Sequence, residues 1–299
     1  MARRLICLVL VLLPDPLRAA QQPAPGEARV LPCSARGLPI LEVAADGGAI
    51  RLGLDTGTSR SLIAADAAER LHLIPRARFS LATTGGPSTP GLCAPADLRV
   101  GGIRLHADCL GWLPAERHLA GAEDLEGILG ADLLAQLDLW IDLGRCPVRA
   151  RLGLPGTLAA MTDGTRLKVD LVGRRAAIEA QILDFEQSID VRLVLDSGSD
   201  GLILFGDVAT RLEGTMRVQR GGARLTSAVA ARSVDVAAVR GVRVGTLHLD
   251  GVRAAGLLPE ILDRPEDGLL PLSALGPVLL DLSNRFVIAG ARFRDATRE

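Results

Sequence analysis

Tyrosine is absent from this chain of 299 residues and lysine occurs once, at Lys168, so arginine carries nearly all the positive charge. Such a bias reflects the base composition of a GC-rich genome rather than a mechanism. Charge of one sign is also missing: 34 basic residues against 35 acidic ones leave a formal net charge of −1. A strongly basic field for nucleic acid is thereby excluded. Apolar residues make up 48% and mean hydropathy is +0.28, yet no uninterrupted apolar run could span a bilayer. The mature part is therefore expected to be soluble and globular, with room for two domains of roughly 130 residues, each able to bury its own core.

Several chemistries are missing as well. His72, His106, His118 and His248 stand singly without metal-ligand spacing, and no C-x-x-C pair marks a zinc or redox site, so no metal or cofactor is expected. There is no G-x-S-x-G elbow, no H-E-x-x-H and no phosphate-binding loop. Trp112 and Trp140 sit in apolar, strand-like surroundings and read as core.

What is present begins with a basic head, Met1-Ala2-Arg3-Arg4, and an apolar block from Leu5 to Leu13. Together they fit a secretory signal peptide over residues 1–20, which predicts a periplasmic or secreted protein. Ala19-Ala20 supply small residues for cleavage, but Arg18 suits the site poorly, and a mis-assigned start or a short interfacial anchor is the alternative. A polar leader follows at residues 21–29. Cys7 would leave with the signal. The other four cysteines, Cys33, Cys93, Cys109 and Cys146, allow three pairings. Strands on either side of Gly101-Gly102 would set Cys93 and Cys109 one residue out of register, which favours that pair and, by elimination, Cys33–Cys146. Four buried reduced thiols are the other possibility.

Helical signals are few and short, so the expected class is mainly β. An internal repeat organises it. Ile50-Arg51-Leu52-Gly53-Leu54-Asp55-Thr56-Gly57-Thr58 aligns without gaps with Val191-Arg192-Leu193-Val194-Leu195-Asp196-Ser197-Gly198-Ser199, 141 residues later. The register continues through Leu62-Ile63 over Ile203-Leu204 and through short helical segments opening at Asp66 and Asp207, whose carboxylates suit free backbone N–H groups. Gly127-Ile128-Leu129-Gly130 lies 72 residues after Asp55, and Gly268-Leu269-Leu270-Pro271 lies 72 after Asp196. Repeated spacing on this scale indicates duplication. The expected boundaries are a first lobe at 30–150, a linker at 151–164 and a second lobe at 165–294.

A single Asp-Thr-Gly could be no more than a turn after a strand. Two copies behind apolar strands, each with a later apolar-apolar element, resemble the pepsin/retropepsin superfamily of aspartic peptidases. The first half is similar to bacterial retropepsin-like domains through Leu-Gly-Leu-Asp-Thr-Gly-Thr-Ser and Gly-Ile-Leu-Gly-Ala-Asp-Leu-Leu; the second is looser. The resemblance implies two pseudo-symmetric β-barrel lobes in one monomeric chain and a peptide or protein substrate in the cleft between them. It implies Asp55 and Asp196 as catalytic carboxylates, with Thr56, Gly57, Ser197 and Gly198 beside them. Thr58 and Ser199 would bond across the pseudo-twofold axis, and Ile128, Leu129 and Gly130 would pack behind the loop. A hairpin flap is expected around Thr84, Gly85 and Gly86, with Gly221-Gly222 as its second-half counterpart. The lack of tyrosine excludes a pepsin-type flap tyrosine. Pro271 replaces an expected glycine and Asp200 replaces Ser59, so a catalytically inactive peptide-binding or scaffold protein is the alternative to an endopeptidase.

Overall fold

The structure, a computed structural model, describes residues 26–34, 37–83, 86–113, 125–144, 146–183, 188–215, 217–226, 231–261 and 264–293. The proposed signal and the flap tip at Thr84 and Gly85 lie outside the described residues. The chain is mainly β, with a closed six-stranded barrel consistent with those of acid proteases.

In the first half, seven strands form one sheet. Its order is Ile40–Ala45, Gly48–Leu54, Gly127–Leu129, Leu62–Ile63, Ile103–Trp112, Gly86–Val100 and Ala77–Thr83. Ile40–Ala45 also pairs with Gly86–Val100, through Ala44–Arg99 and Ala45–Leu98, and this closes a six-stranded barrel. Alternation in the sequence explains which face turns inward. Along Ile103–Trp112, Ile103, Leu105 and Ala107 are buried while Arg104, His106 and Asp108 face out.

The second half pairs its strands in the same sense. Gly127–Leu129 lies parallel to Gly48–Leu54 and antiparallel to Leu62–Ile63. Gly268–Pro271 lies likewise between Ser188–Asp196 and Leu202–Phe205. Each short strand opens on a glycine because a Cβ there would overlap the carbonyl oxygen of Leu62 or of Ile203. The residue before that glycine also plays the same part twice. Glu126 accepts from Arg51 N at 2.9 Å and Asp267 accepts from Arg192 N at 2.7 Å. One difference stands out: where the first half has the long strand Gly86–Val100, the second has two shorter ones, Ala231–Ala238 and Gly241–Val244.

A six-stranded sheet takes strands from both halves, in the order Arg29–Leu31, Val148–Gly153, Asp138–Asp142, Val278–Asp281, Phe286–Phe293 and Thr162–Lys168. Both ends of residues 151–164, read from the sequence as a linker, are therefore strand of this sheet, at 151–153 and 162–164, with turns at 154–158 and a 3-10 turn at Ala159–Met161 between them. The reason is the alternation of Val148, Ala150 and Leu152, which bury one face of their strand. The Pro155-Gly156 pair that signalled a linker makes a turn instead, Gly156 taking φ +81°.

Asp66 and Asp207 fall in the first turns of the helices Ala65–Arg70 and Gly206–Thr215, and Asp66 accepts from Ala67 N at 2.9 Å. Disulfides join Cys33 to Cys146 and Cys93 to Cys109, the expected pairing. Trp112 is buried, and Trp140 donates to Ala291 O at 3.0 Å. No helix among the described residues is long and apolar enough to cross a membrane.

Candidate active site

The two Asp-Thr/Ser-Gly loops face each other and interlock. Thr56 Oγ1 donates to Leu195 O at 2.8 Å and accepts from Ser197 N at 2.9 Å. Ser197 Oγ donates to Leu54 O at 3.0 Å and accepts from Thr56 N at 3.0 Å. These bonds between the halves were expected from Thr58 and Ser199. Thr58 Oγ1 instead donates to its own neighbour, Asp55 Oδ2, at 2.8 Å, and Ser199 Oγ donates to Gly201 O at 2.6 Å. The reason is position in the turn. The residue directly after each Asp points across to the opposite strand end, while the third residue has already turned back along its own loop.

The interlock sets the carboxyls of Asp55 and Asp196 close enough that each shifts the other's pKa. Gly57 N donates to Asp55 Oδ1 at 2.8 Å and Gly198 N to Asp196 Oδ1 at 2.7 Å. Burial, the largest effect, pushes both carboxyls above the usual carboxylate range. Asp196 is raised well above it, because the charge of Asp55 adds to its burial. For Asp55 the bonds from Thr58 and Gly57 offset part of the rise. The two carboxyls therefore titrate as a pair, and burial favours keeping a proton between them. Gly57 is required by space: a Cβ there would overlap the carboxyl of Asp196.

The segment Ile128-Leu129-Gly130 runs beside the first loop, with Ile128 on the cavity lining. Leu129 O accepts from Asp55 N at 3.1 Å, and Thr58 O accepts from Ala131 N at 2.8 Å. Two partners here went unread in the sequence. The hydroxyl of Ser61, which is fully buried, accepts from Gly130 N at 2.9 Å and donates to Asp132 Oδ1 at 2.6 Å. Burial raises the Asp132 carboxyl, while Ser61 draws it back down. Polar residues inside apolar runs, Ser61 before Leu62-Ile63 and Asp132 before Leu133-Leu134, were the available signal.

The same comparison accounts for Pro271. By the repeat offset, Leu202 stands where the first half has Ser61, so no hydroxyl awaits an N–H at position 271. Proline lacks that N–H. It pairs alongside Asp196 in the parallel ladder and is followed by the 3-10 turn Leu272–Leu275. Donor and acceptor are lost together, which leaves no unsatisfied group.

Above the carboxyls opens a cavity of about 1150 Å³, lined by residues of both halves. Asp55 and Asp196 lie on its surface with Phe79 and Ser80 from the strand Ala77–Thr83. That strand pairs with Gly86–Val100 up to Thr83–Gly86, so Gly86 begins the return strand of the expected flap hairpin. Gly221-Gly222 is no hairpin tip. It lies inside Val218–Thr226 at a register shift, where Gly221 N donates to Asp235 Oδ1 at 2.8 Å. Asp200 is exposed. Among the described residues, no group of His, Cys, Asp and Glu could hold a metal ion.

Residues 41–133 match the model of a protein family described as aspartyl protease, of the retropepsin-like clan. The match includes Asp55 and ends before Asp196. No curated protein sequence matches the chain. Residues 41–133 are therefore similar to an aspartyl protease domain, which suggests aspartic peptidase chemistry.

Proposed function

We propose that the chain is a two-lobed aspartic endopeptidase in which Asp55 and Asp196 share one proton and activate one water. The observation that carries this reading is the close approach of two buried carboxyls whose pKa values are both raised. Two carboxylates in contact do not both ionise cheaply, so the pair titrates as a unit holding one proton. In the singly protonated state, Asp55 takes a proton from water as its oxygen attacks the peptide carbonyl carbon. Asp196 gives its proton to the carbonyl oxygen, and a neutral tetrahedral diol forms with no bond to the enzyme. Proton transfer to the amide nitrogen then accompanies C–N cleavage, and one proton remains shared by the pair.

An extended peptide suits the cavity, bound through backbone hydrogen bonds and alternating side-chain pockets. One chain supplies both carboxylates, so the active unit is a monomer. The disulfides fit an exported protein, periplasmic or secreted. The test offers a mixed peptide pool to the purified protein from acidic to neutral pH, with products read by mass spectrometry. Internal cleavage at acidic pH is expected. Peptides bound but uncut at every pH would support a binding or scaffold protein instead.

A further inference from the structure

On the second-half wall of the cavity, three charged side chains form a cluster beside the proton-sharing pair, and the charge of one of them, Arg175, draws the Asp196 pKa down. Glu266 is 2% exposed. A carboxylate so deep needs accompanying cations. Its Oε1 meets two of them, Arg175 Nη1 at 2.9 Å and Arg264 Nη1 at 3.3 Å. One negative charge against two guanidiniums leaves a positive charge over. The two arginine side chains are 11% and 19% exposed, and both line the cavity.

Both guanidiniums are held in place. Arg175 Nε donates to Val172 O at 3.2 Å, and Arg264 lies over the ring of Phe205, 5.3 Å from its centroid. These contacts use only part of the five N–H donors that each guanidinium offers. Arg175 is also close to the chemistry. It opens the strand Arg175–Leu183, which pairs antiparallel with Ser188–Asp196, the strand that ends on Asp196. Arg174 and Arg224 bring two more guanidiniums to the same wall, four in all, against the carboxyls of Asp196, Asp200 and Glu266. A cavity wall with surplus positive charge and unspent, oriented N–H donors fits a carboxylate, which an arginine can take through two parallel bonds.

We infer that Arg175 and Arg264, fixed by Glu266, form a carboxylate-binding subsite, so that preferred substrates carry an acidic side chain or a terminal carboxylate near the scissile bond. This rests on reading the cavity as a peptide site. The experiment separates the two. Fluorescein-labelled octapeptides are prepared with Glu or Gln at each position in turn, and with a free or amidated C-terminus. Binding to the Asp55→Asn variant is followed by fluorescence anisotropy, and cleavage by the unaltered protein is followed in parallel. The expected result is at least tenfold tighter binding for Glu over Gln at one position, or for free over amidated termini; which contrast appears identifies the source of the carboxylate. The preference should fall below threefold in Arg264→Gln. Because the peptide contrast needs no change at the cluster, a misfolded Arg264 variant does not remove the test. Equal binding of all forms, or binding of none, overturns the subsite. A preference without cleavage by the unaltered protein would retain the subsite and reject the peptidase; cleavage without a preference would do the reverse.

Discussion

Thr56 and Ser197 each donate to a backbone oxygen of the opposite half and each accept the other's backbone N–H. The contact places two carboxyls together, so its integrity should govern both stability and activity. In Thr56→Val, Leu195 O and Ser197 N lose their partner in a site where Thr56 is 2% exposed. An unsatisfied buried group costs about 1–3 kcal/mol, so two predict a loss of about 2–6 kcal/mol in urea unfolding. Thr58→Val gives the contrast. It removes one bond within a single loop, one that holds the Asp55 pKa down. It should therefore cost less stability and move the acidic activity range upward.

The two glycines of the motifs should respond unequally to alanine. At Gly57 a Cβ would overlap the Asp196 carboxyl, whereas at Gly198 the nearest atom would be Asp55 Cγ at 3.1 Å. Gly57→Ala is predicted to abolish cleavage, while Gly198→Ala should retain a measurable rate. Both are read with one peptide at saturating concentration.

Stability should carry the signature of the paired carboxyls. Both pKa values are raised in the folded chain, mainly by burial. Their favourable contribution is thus complete below the unfolded value of about 3.9, and is lost as pH rises through the folded values. Asp196→Asn cannot ionise and can still accept from Gly198 N. Its urea midpoint should exceed that of the unaltered protein at pH 7, and the gain should vanish at pH 3.

The disulfides should contribute according to the loops they close. Cys33–Cys146 spans 113 residues and Cys93–Cys109 spans 16. Chain entropy gives about 5 kcal/mol for the longer loop and about 3 kcal/mol for the shorter. Thermal melting of Cys33→Ser/Cys146→Ser and Cys93→Ser/Cys109→Ser should show the larger fall in the first.

Much of this arrangement was legible because it is local or repeated. Alternation along Ile103–Trp112 marks a strand, and equal spacing from Asp55 to Gly127 and from Asp196 to Gly268 marks matching elements. What escaped the sequence depends on chain direction after a turn, or on contacts across long separations. The spacing of Thr58 and Ser199 does not say that their hydroxyls turn back on their own loops. Residues 151–164 read as linker because Pro155 and Gly156 punctuate them, and only a sheet drawn from both halves makes their flanks strands. Glu266 lies 91 residues from Arg175, and no local pattern announces that pair.

The central claim is that Asp55 and Asp196 act as one unit. Its most direct measurement is the initial rate of cleavage of a single peptide, at the acidic optimum, by the unaltered protein and by Asp55→Asn and Asp196→Asn. General acid–base catalysis is worth about 10²–10⁴-fold, so each substitution should cost at least a hundredfold with the fold intact. Cleavage near the unaltered rate in either variant would contradict the assignment.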